Sequence, residues 1–188
     1  MLEGAVCLSG PYTIDAKQAV TKASAIMTGN DLANMYEISY GAINRNLQDV
    51  TEEQSLIQPQ PCGNCLNWVL GHIVLYRGMM LKMIGGSPVL EAAQAATYQR
   101  GSKPGPDSKY LDLATLRGLL SDAHQRLIPA LSAISDEELS RKVPEEFNRP
   151  PLAGPTGEAL ARLQFHESYH AGQIGLLRRI AGKDGAIK

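Results

Sequence analysis

Apolar residues recur at steps of three and four along four long stretches of this 188-residue chain. That spacing places them on one face of an α-helix, so the sequence predicts four amphipathic helices that bury those faces against one another. No stretch combines strand alternation with hairpin turns, and the predicted fold is therefore an all-α four-helix bundle with long connections. The four helices are expected over about 31–50, from about Asn64 to Met83, Leu113 to Ile134, and Thr156 to Gly182.

Local signals set the expected helix ends and the shorter elements. Asn30 or Asp31 is expected to cap the first long helix, and Pro129 to kink the third. Two glycines, Gly85 and Gly86, are expected to end the second. Three short helices are also predicted. They lie at 15–27, after a Ser87 cap with Pro88 in first position, and at the capping box Ser135–Glu138. The segment 101–108 is predicted to be a loop, and the proline-rich 144–155 to be extended.

Composition limits the classes of function. Hydrophobic residues make up 44% of the chain and charged residues 20%, with a net charge of -1, which are ordinary globular values. We expect no nucleic-acid or membrane partner, because neither a basic surface nor a long apolar run is present. The three cysteines are too few for a disulfide framework, and the first residues lack a signal-peptide pattern. The prediction is one cytoplasmic domain over 1–188, with its core at about 30–182.

Two histidines are spaced for metal binding in the sequence HESYH. His166 and His170 lie four residues apart on the fourth helix, in line with the apolar Leu163 and Leu177. Such a spacing puts two imidazoles about 5–6 Å apart at Cβ, which suits coordination of one ion at about 2.1 Å from each nitrogen. The alternative for this pair is two core or half-exposed histidines that are satisfied by hydrogen bonds.

A third histidine lies on the apolar face of the second helix. His72 shares a stripe with Trp68 and Tyr76, so it can join the pair across the bundle core. His124 lies among polar residues and is predicted to be a surface histidine. Three neutral imidazoles leave coordination positions open, which is typical of catalytic rather than structural zinc, and imidazole also suits Ni, Fe and Cu.

The sequence HESYH also matches the HExxH motif of zinc peptidases, but the rest of the chain lacks the other features of that class. After His170 the chain has no further His or Glu to supply the third ligand of that class, and no strands are predicted to hold a peptide. A peptidase is therefore disfavoured. Three roles stay open for Glu167: general base at the metal, hydrogen-bond partner of a ligand imidazole, or a solvent-facing side chain.

Two segments resemble the signatures of the DinB-like superfamily. These are NWVLGHIVLYR, with Trp68, Gly71 and His72, and HESYHAGQIGLLRR, with the histidine pair followed by Gly172 and Gln173. The resemblance covers about 30–182 and implies a bacterial four-helix bundle that binds a divalent metal through His72, His166 and His170. Relatives often have Arg after the second histidine, where this chain has Ala171, which puts a substrate-anion contact there in doubt.

The resemblance also implies a range of activities. Characterised relatives act on low-molecular-weight thiols, so the expected activity is that of a metal-dependent thiol transferase on a small-molecule substrate, with Zn, Ni or Fe as cofactor. The alternatives are a metal-dependent hydrolase and a non-enzymatic, stress-associated metal-binding bundle. The resemblance favours a homodimer.

Other candidate residues have weaker signals. Cys62 and Cys65 form a CxxC pair at a helix start, but without the βαβ context of a redox enzyme. Gln173 is expected to point inward, toward a ligand histidine, a substrate or a polar core group. Three tyrosines are candidates for pocket walls or for packing, and three arginines are expected to be solvated helix ends, with Arg178 a candidate for binding an anion: Tyr36, Tyr76, Tyr169, Arg77, Arg178 and Arg179.

Overall fold

A computed structural model describes residues 27–102 and 108–187. Over these ranges the chain is all-helical, as predicted, and no described helix has both the length and the apolar character needed to cross a bilayer. Residues 15–26 of one expected short helix lie outside the described ranges, as does 103–107 of the expected loop. The helices are α1 (Gly29–Leu47), α2 (Glu52–Ser55), α3 (Leu66–Met83), α4 (Ala92–Tyr98), α5 (Leu113–Ala133), α6 (Asp136–Ser140), a 3-10 helix (Glu145–Phe147) and α7 (Thr156–Ile180).

The four long helices pack as a bundle in which α1 and α3 each contact both α5 and α7. Buried apolar residues form two clusters. One joins the later halves of α1 and α7 to the earlier halves of α3 and α5, and the other joins the opposite halves. Therefore α1 runs parallel to α7 and α3 runs parallel to α5, and the two pairs are antiparallel to each other.

A long connection follows from the parallel arrangement of α3 and α5. The chain must return along the bundle after α3, and residues 84–112 do so with α4 on the way. The expected start of this short helix at Ser87 and Pro88 is wrong, because Val89 and Leu90 pack against the core in irregular backbone. The helix begins only after Glu91, which closes a capping box with a residue three positions on.

Several helices begin with the side-chain caps that the capping rules describe, although one expected cap is wrong. Thr28, rather than Asn30 or Asp31, caps α1, and the Asp31 side chain completes the capping box by accepting a hydrogen bond from the Thr28 backbone. The capping box predicted at Ser135 is confirmed at the start of α6. Thr51 begins a similar box at α2, a helix that the sequence reading missed.

A layer of polar side chains crosses the bundle between the two apolar clusters. It contains His72 and Arg77 from α3, His124 from α5, and Glu167 and His170 from α7. Burying such groups without partners is unfavourable, so each must find hydrogen bonds or an ion within the layer. This layer holds the candidate site.

Candidate metal centre

The three histidines singled out from the sequence come together at the junction of α3 and α7. The Nε2 atom of His166 lies 3.1 Å from Nε2 of His170 and 3.3 Å from Nε2 of His72. One nitrogen from each of the three lies within 4.8 Å of the others. Nitrogens that sit about 2.0–2.1 Å from a tetrahedral ion are about 3.3–3.4 Å apart, so the two short separations are close to those that a zinc-like ion needs.

The orientation of His72 is fixed by the backbone of α4. Its Nδ1 lies 2.6 Å from the carbonyl oxygen of Tyr98, which can only accept, so Nδ1 carries the proton and donates it. The lone pair of the neutral ring is then on Nε2, facing the other two histidines. Gly71 permits this arrangement, because a Cβ there would lie 2.2 Å from the Tyr98 ring. The glycine before His72 thus has a packing role.

Gln173 orients the second histidine. The Nδ1 of His170 donates to Oε1 of Gln173 at 2.7 Å, and the amide nitrogen of Gln173 donates to the hydroxyl of Tyr169 at 3.3 Å. The Nε2 of His170 therefore also presents a lone pair to the cluster. Of the roles left open for Gln173, the structure has it binding one of the clustered histidines.

The hydrogen-bonding pattern leaves the cluster short of protons. With the Nδ1 atoms of His72 and His170 protonated, a neutral His166 can offer one proton to one of its two Nε2 neighbours. The other short contact then has no proton to bridge it, and if the proton of His166 is on Nδ1 instead, both contacts set lone pair against lone pair. In addition, the Nδ1 of His166 is buried and has no hydrogen-bond partner among the described residues. A cation at the centre of the three nitrogens resolves the repulsion, so this donor set fits a metal.

Burial keeps the three imidazoles in the form that binds metals. It lowers the pKa of His72 to about 4, against the raising effect of the hydrogen bond to Tyr98. It likewise lowers the pKa of His166 to about 4, and the pKa of His170 is below its ordinary value for the same reason. All three rings are therefore neutral at pH 7.

Glu167 is held by an arginine, and it neither faces solvent nor binds an imidazole of the cluster. Its carboxylate is buried and accepts two hydrogen bonds from Arg77, from Nε at 2.8 Å and from Nη2 at 2.7 Å. It is therefore neither a solvent-facing side chain nor a member of the histidine cluster. The expectation that Arg77 is a solvated helix end is also wrong, since its side chain is 0% exposed. Its Nη2 also donates to the carbonyl oxygen of Tyr36 at 3.2 Å.

His124 lies outside the metal cluster, as predicted, but it is not a simple surface residue. Its side chain is 13% exposed and stacks on Tyr40 with ring centroids 3.6 Å apart. Its Nδ1 lies 3.2 Å from Nη1 of Arg77, and its Nε2 lies 3.3 Å from the carboxylate of Glu37. Because Arg77 can only donate, Nδ1 accepts and Nε2 carries the proton. His124 therefore extends the Arg77–Glu167 pair toward the surface.

A cavity of about 730 Å³ opens onto the histidine cluster. Its volume is in the range of small-molecule sites. The aromatic walls include Trp68, whose ring centroid is 4.7 Å from that of His72, and Tyr76, which is 4.2 Å from His166. Tyr169 also lines the cavity, whereas Tyr36 does not and donates its hydroxyl to a backbone carbonyl of α7.

The remaining candidates lie away from the cavity or lack the expected chemistry. Cys65 is buried, and burial raises its thiol pKa, the opposite of what a reactive thiol needs. Arg178 is buried and donates to backbone carbonyls around the end of α1, so its expected solvated or anion-binding role is wrong. Ala171 borders a different groove, between α1 and α7, so an anion contact from this position would not face the histidines.

Comparison with known protein families identifies the family of the chain. The DinB superfamily matches residues 35–174, which is most of the chain and includes all three clustered histidines. No curated protein matches the sequence.

Proposed function

The chain belongs to the DinB superfamily, and we propose that it is a divalent-metal-dependent enzyme acting on a low-molecular-weight thiol. In this proposal His72, His166 and His170 hold the metal. The observation that carries it is the convergence of three Nε2 atoms, two of them fixed as acceptors by the hydrogen bonds of their Nδ1 atoms.

The number of protein ligands supports catalysis over a purely structural metal. Structural zinc sites are usually closed by four protein ligands, whereas three leave a position for substrate. When bound, the metal would act as a Lewis acid that lowers the pKa of a coordinated thiol or water. Imidazole nitrogen suits Zn, Ni and Fe, so the donor set leaves the choice among these metals to measurement.

The cavity lining favours a thiol over water as the nucleophile. No Asp or Glu is among the described residues that line the cavity, and Glu167 is engaged by Arg77. Hydrolysis would therefore proceed without a carboxylate base. A thiol has an unperturbed pKa of about 8.5 and needs much less assistance to ionise near pH 7.

The residues of the cavity would bind and orient the two reactants. Trp68, Tyr76 and Tyr169 offer flat apolar surfaces for an organic electrophile, beside the histidines that would position the sulfur. The sulfur–carbon bond forms as the bond from carbon to its leaving group breaks. The thiol proton leaves to solvent through the open side of the cavity, and the leaving group departs with its electron pair.

The metal-binding part of the proposal is tested by elemental analysis of purified variants. His72→Ala, His166→Ala and His170→Ala should each abolish stoichiometric metal binding. His124→Ala is the matched control and should retain the metal, because it lies in the same polar layer but outside the cluster. Full metal retention by His72→Ala would contradict a site shared by α3 and α7.

The activity is tested with metal-loaded protein, monochlorobimane and glutathione, bacillithiol or mycothiol. The expected product is a fluorescent thioether, with release of chloride and a proton, at a rate that disappears in His170→Ala and persists in His124→Ala. Metal-dependent cleavage of esters or amides without any thiol turnover would favour the hydrolase alternative. No turnover across a broad panel with a fully loaded site would favour a non-enzymatic metal-binding bundle.

We further propose that the protein forms a homodimer, which the family resemblance favours. Support comes from a groove of about 390 Å³ between α1 and α7, bordered by Ile38, Leu176 and Ile187. These apolar side chains are 71%, 57% and 48% exposed, and pairing with a second copy would remove them from water. Light scattering should give twice the chain mass, and a monomer at all practical concentrations would refute the dimer.

A further inference from the structure

We infer that the cavity beside the three histidines selects organic molecules that carry a carboxylate, and that Arg149 and Arg162 bind it. The inference rests on the proposed function only in placing the reacting group at the histidines. It adds a second recognition point on the same substrate.

The charge of the cavity lining is one-sided. Arg100, Arg149 and Arg162 line it, and none of the described lining residues is Asp or Glu. The whole chain is nearly balanced, with 18 Lys and Arg against 19 Asp and Glu, so this grouping is local. A cleft lined by one sign of charge concentrates the opposite charge and orients it during binding.

Two of these arginines have their side chains available for a ligand. Among the described residues, the guanidinium groups of Arg100 and Arg149 make no hydrogen bond or ion pair. Arg162 pairs with Glu158 at 2.8 Å and donates to the carbonyl oxygen of Ala153 at 3.3 Å, but the side chains of the pair are 44% and 59% exposed. Exposed pairs of this kind contribute little, so a ligand carboxylate can share or replace that contact.

The helical register fixes where a carboxylate would bind relative to the histidines. Arg162 precedes His166 by four residues on α7, so the two side chains share one face about 6 Å apart along the axis. Arg149 reaches the same cavity from the connection before α7, beside Pro150 and Pro151. A ligand that spans both points has its reactive end at the histidines and its carboxylate about one helical turn away.

The aromatic walls distinguish an organic carboxylate from a small inorganic anion. Trp68 and Tyr76 border the space beside the histidines and cover it with apolar ring surface. A compound with an apolar segment between its two ends buries that segment against the rings, which a bare inorganic anion does not. Arginine adds specificity, because its planar guanidinium binds a carboxylate through two parallel hydrogen bonds.

The test compares matched acids and esters by titration calorimetry on zinc-loaded protein. The first pair is 6-mercaptohexanoate and its methyl ester, and the second, which lacks sulfur, is heptanoate and its methyl ester. We expect each acid to bind about tenfold more tightly than its ester at low salt, because one charged hydrogen bond typically contributes that much to affinity. The preference should shrink as salt is added.

The variant Arg149→Gln/Arg162→Gln should lose the preference for the acids. Both side chains are surface groups, and circular dichroism would show that the helices are retained. Arg45→Gln is the matched control, because it removes an exposed arginine of α1 that does not line the cavity, and it should keep the full preference.

The two pairs separate this inference from the thiol proposal. An acid preference in both pairs, with no gain from sulfur, would support the carboxylate site and count against a thiol substrate. Tight binding of both mercaptans without an acid preference would overturn the carboxylate site and leave the thiol proposal standing. A preference that survives in the double variant would also overturn it.

Discussion

Arg77 and Glu167 form a bidentate ion pair across the interface of α3 and α7, with both side chains almost completely buried. Glu167 is the neighbour of His166 in the chain, and Arg77 lies on the helix that carries His72. The pair therefore ties together the two helices that supply the clustered histidines. The ion pair therefore helps to fix the position of α3 relative to α7.

Replacing Glu167 by Gln should destabilise the fold while leaving metal stoichiometry intact. The variant removes the counter-charge of a buried guanidinium, and breaking a buried pair in this way costs about 3–5 kcal/mol. Urea denaturation measures the loss. Glu137→Gln is the control, because its ion pair with Arg141 is exposed and screened by water, so its loss should leave the stability almost unchanged.

The contrary result for Glu167→Gln is informative. Unchanged stability together with loss of the metal would place the Glu167 carboxylate among the metal ligands and would remove the structural role assigned here.

Replacing Gly71 by Ala should weaken both stability and metal binding. The added methyl would overlap the ring of Tyr98, whose carbonyl holds His72, so the ring and its backbone must move. Overpacking of this kind typically costs about 1–3 kcal/mol. Differential scanning calorimetry and metal analysis give the two readouts.

A matched glycine is available on another long helix. Gly118 of α5 has open space around the position of an added Cβ among the described residues. Gly118→Ala should therefore leave metal binding unchanged and raise stability by up to about 1 kcal/mol through helix propensity. If Gly71→Ala behaves in the same way as Gly118→Ala, the packing explanation for the signature glycine is wrong.

Replacing Gln173 by Ala should lower metal affinity by about tenfold or more, because the Nδ1–H of His170 loses the acceptor that orients the ring. Competition with a chelator of known affinity measures the change. Gln173→Glu retains an acceptor and should bind the metal more tightly than Gln173→Ala, whereas Gln125→Ala on the exposed side of α5 should have no effect. Equal affinities in all three variants would exclude an orienting role.

The metal-free protein should lose stability as pH falls from about 6.5 toward 4. Folding lowers the pKa of His72 and His166 to about 4, while unfolded histidine titrates near about 6.5. Between these values the unfolded chain binds more protons than the folded one, so the free energy of unfolding decreases with decreasing pH. Urea melts at pH 7 and pH 5 should show this decrease.

A histidine variant provides the control for the pH effect. His166→Gln removes one of the two strongly shifted groups and should make the decrease between pH 7 and pH 5 smaller. Equal stability of the wild-type protein at the two pH values would show that the buried rings do not resist protonation.

The bundle could be predicted from sequence because each long helix has to bury an apolar face. The boundaries of α5 and α7 followed from that periodicity within about two residues, whereas the start of α4 did not. Before α4 begins, Val89 and Leu90 pack against the core in irregular backbone. That packing depends on contacts between distant segments, which local residue spacing does not encode.

The histidine cluster was predictable in part for the same reason. The spacing of His166 and His170 and the apolar stripe around His72 indicate that all three side chains face the bundle core. The carbonyl oxygen of Tyr98, which orients His72, lies in the connection between α3 and α5, whose path the sequence does not predict. The Arg77–Glu167 pair was missed, although α3 contained a signal. That helix is apolar on nearly every side in its middle turns, so a charged residue there, unlike Lys82 in the last turn, is expected to be buried and paired.

The contact between His72 and His166 joins points that are 94 residues apart in a chain of 188. A cation shared by these two imidazoles would close half of the polypeptide into a loop, as a disulfide does. Unlike a disulfide, this cross-link would be lost when the chain unfolds. Its stabilising effect would then rise with the concentration of free metal. Because unfolded chains are the ones that proteases remove, the supply of the metal would help to set the lifetime of the protein in a cell.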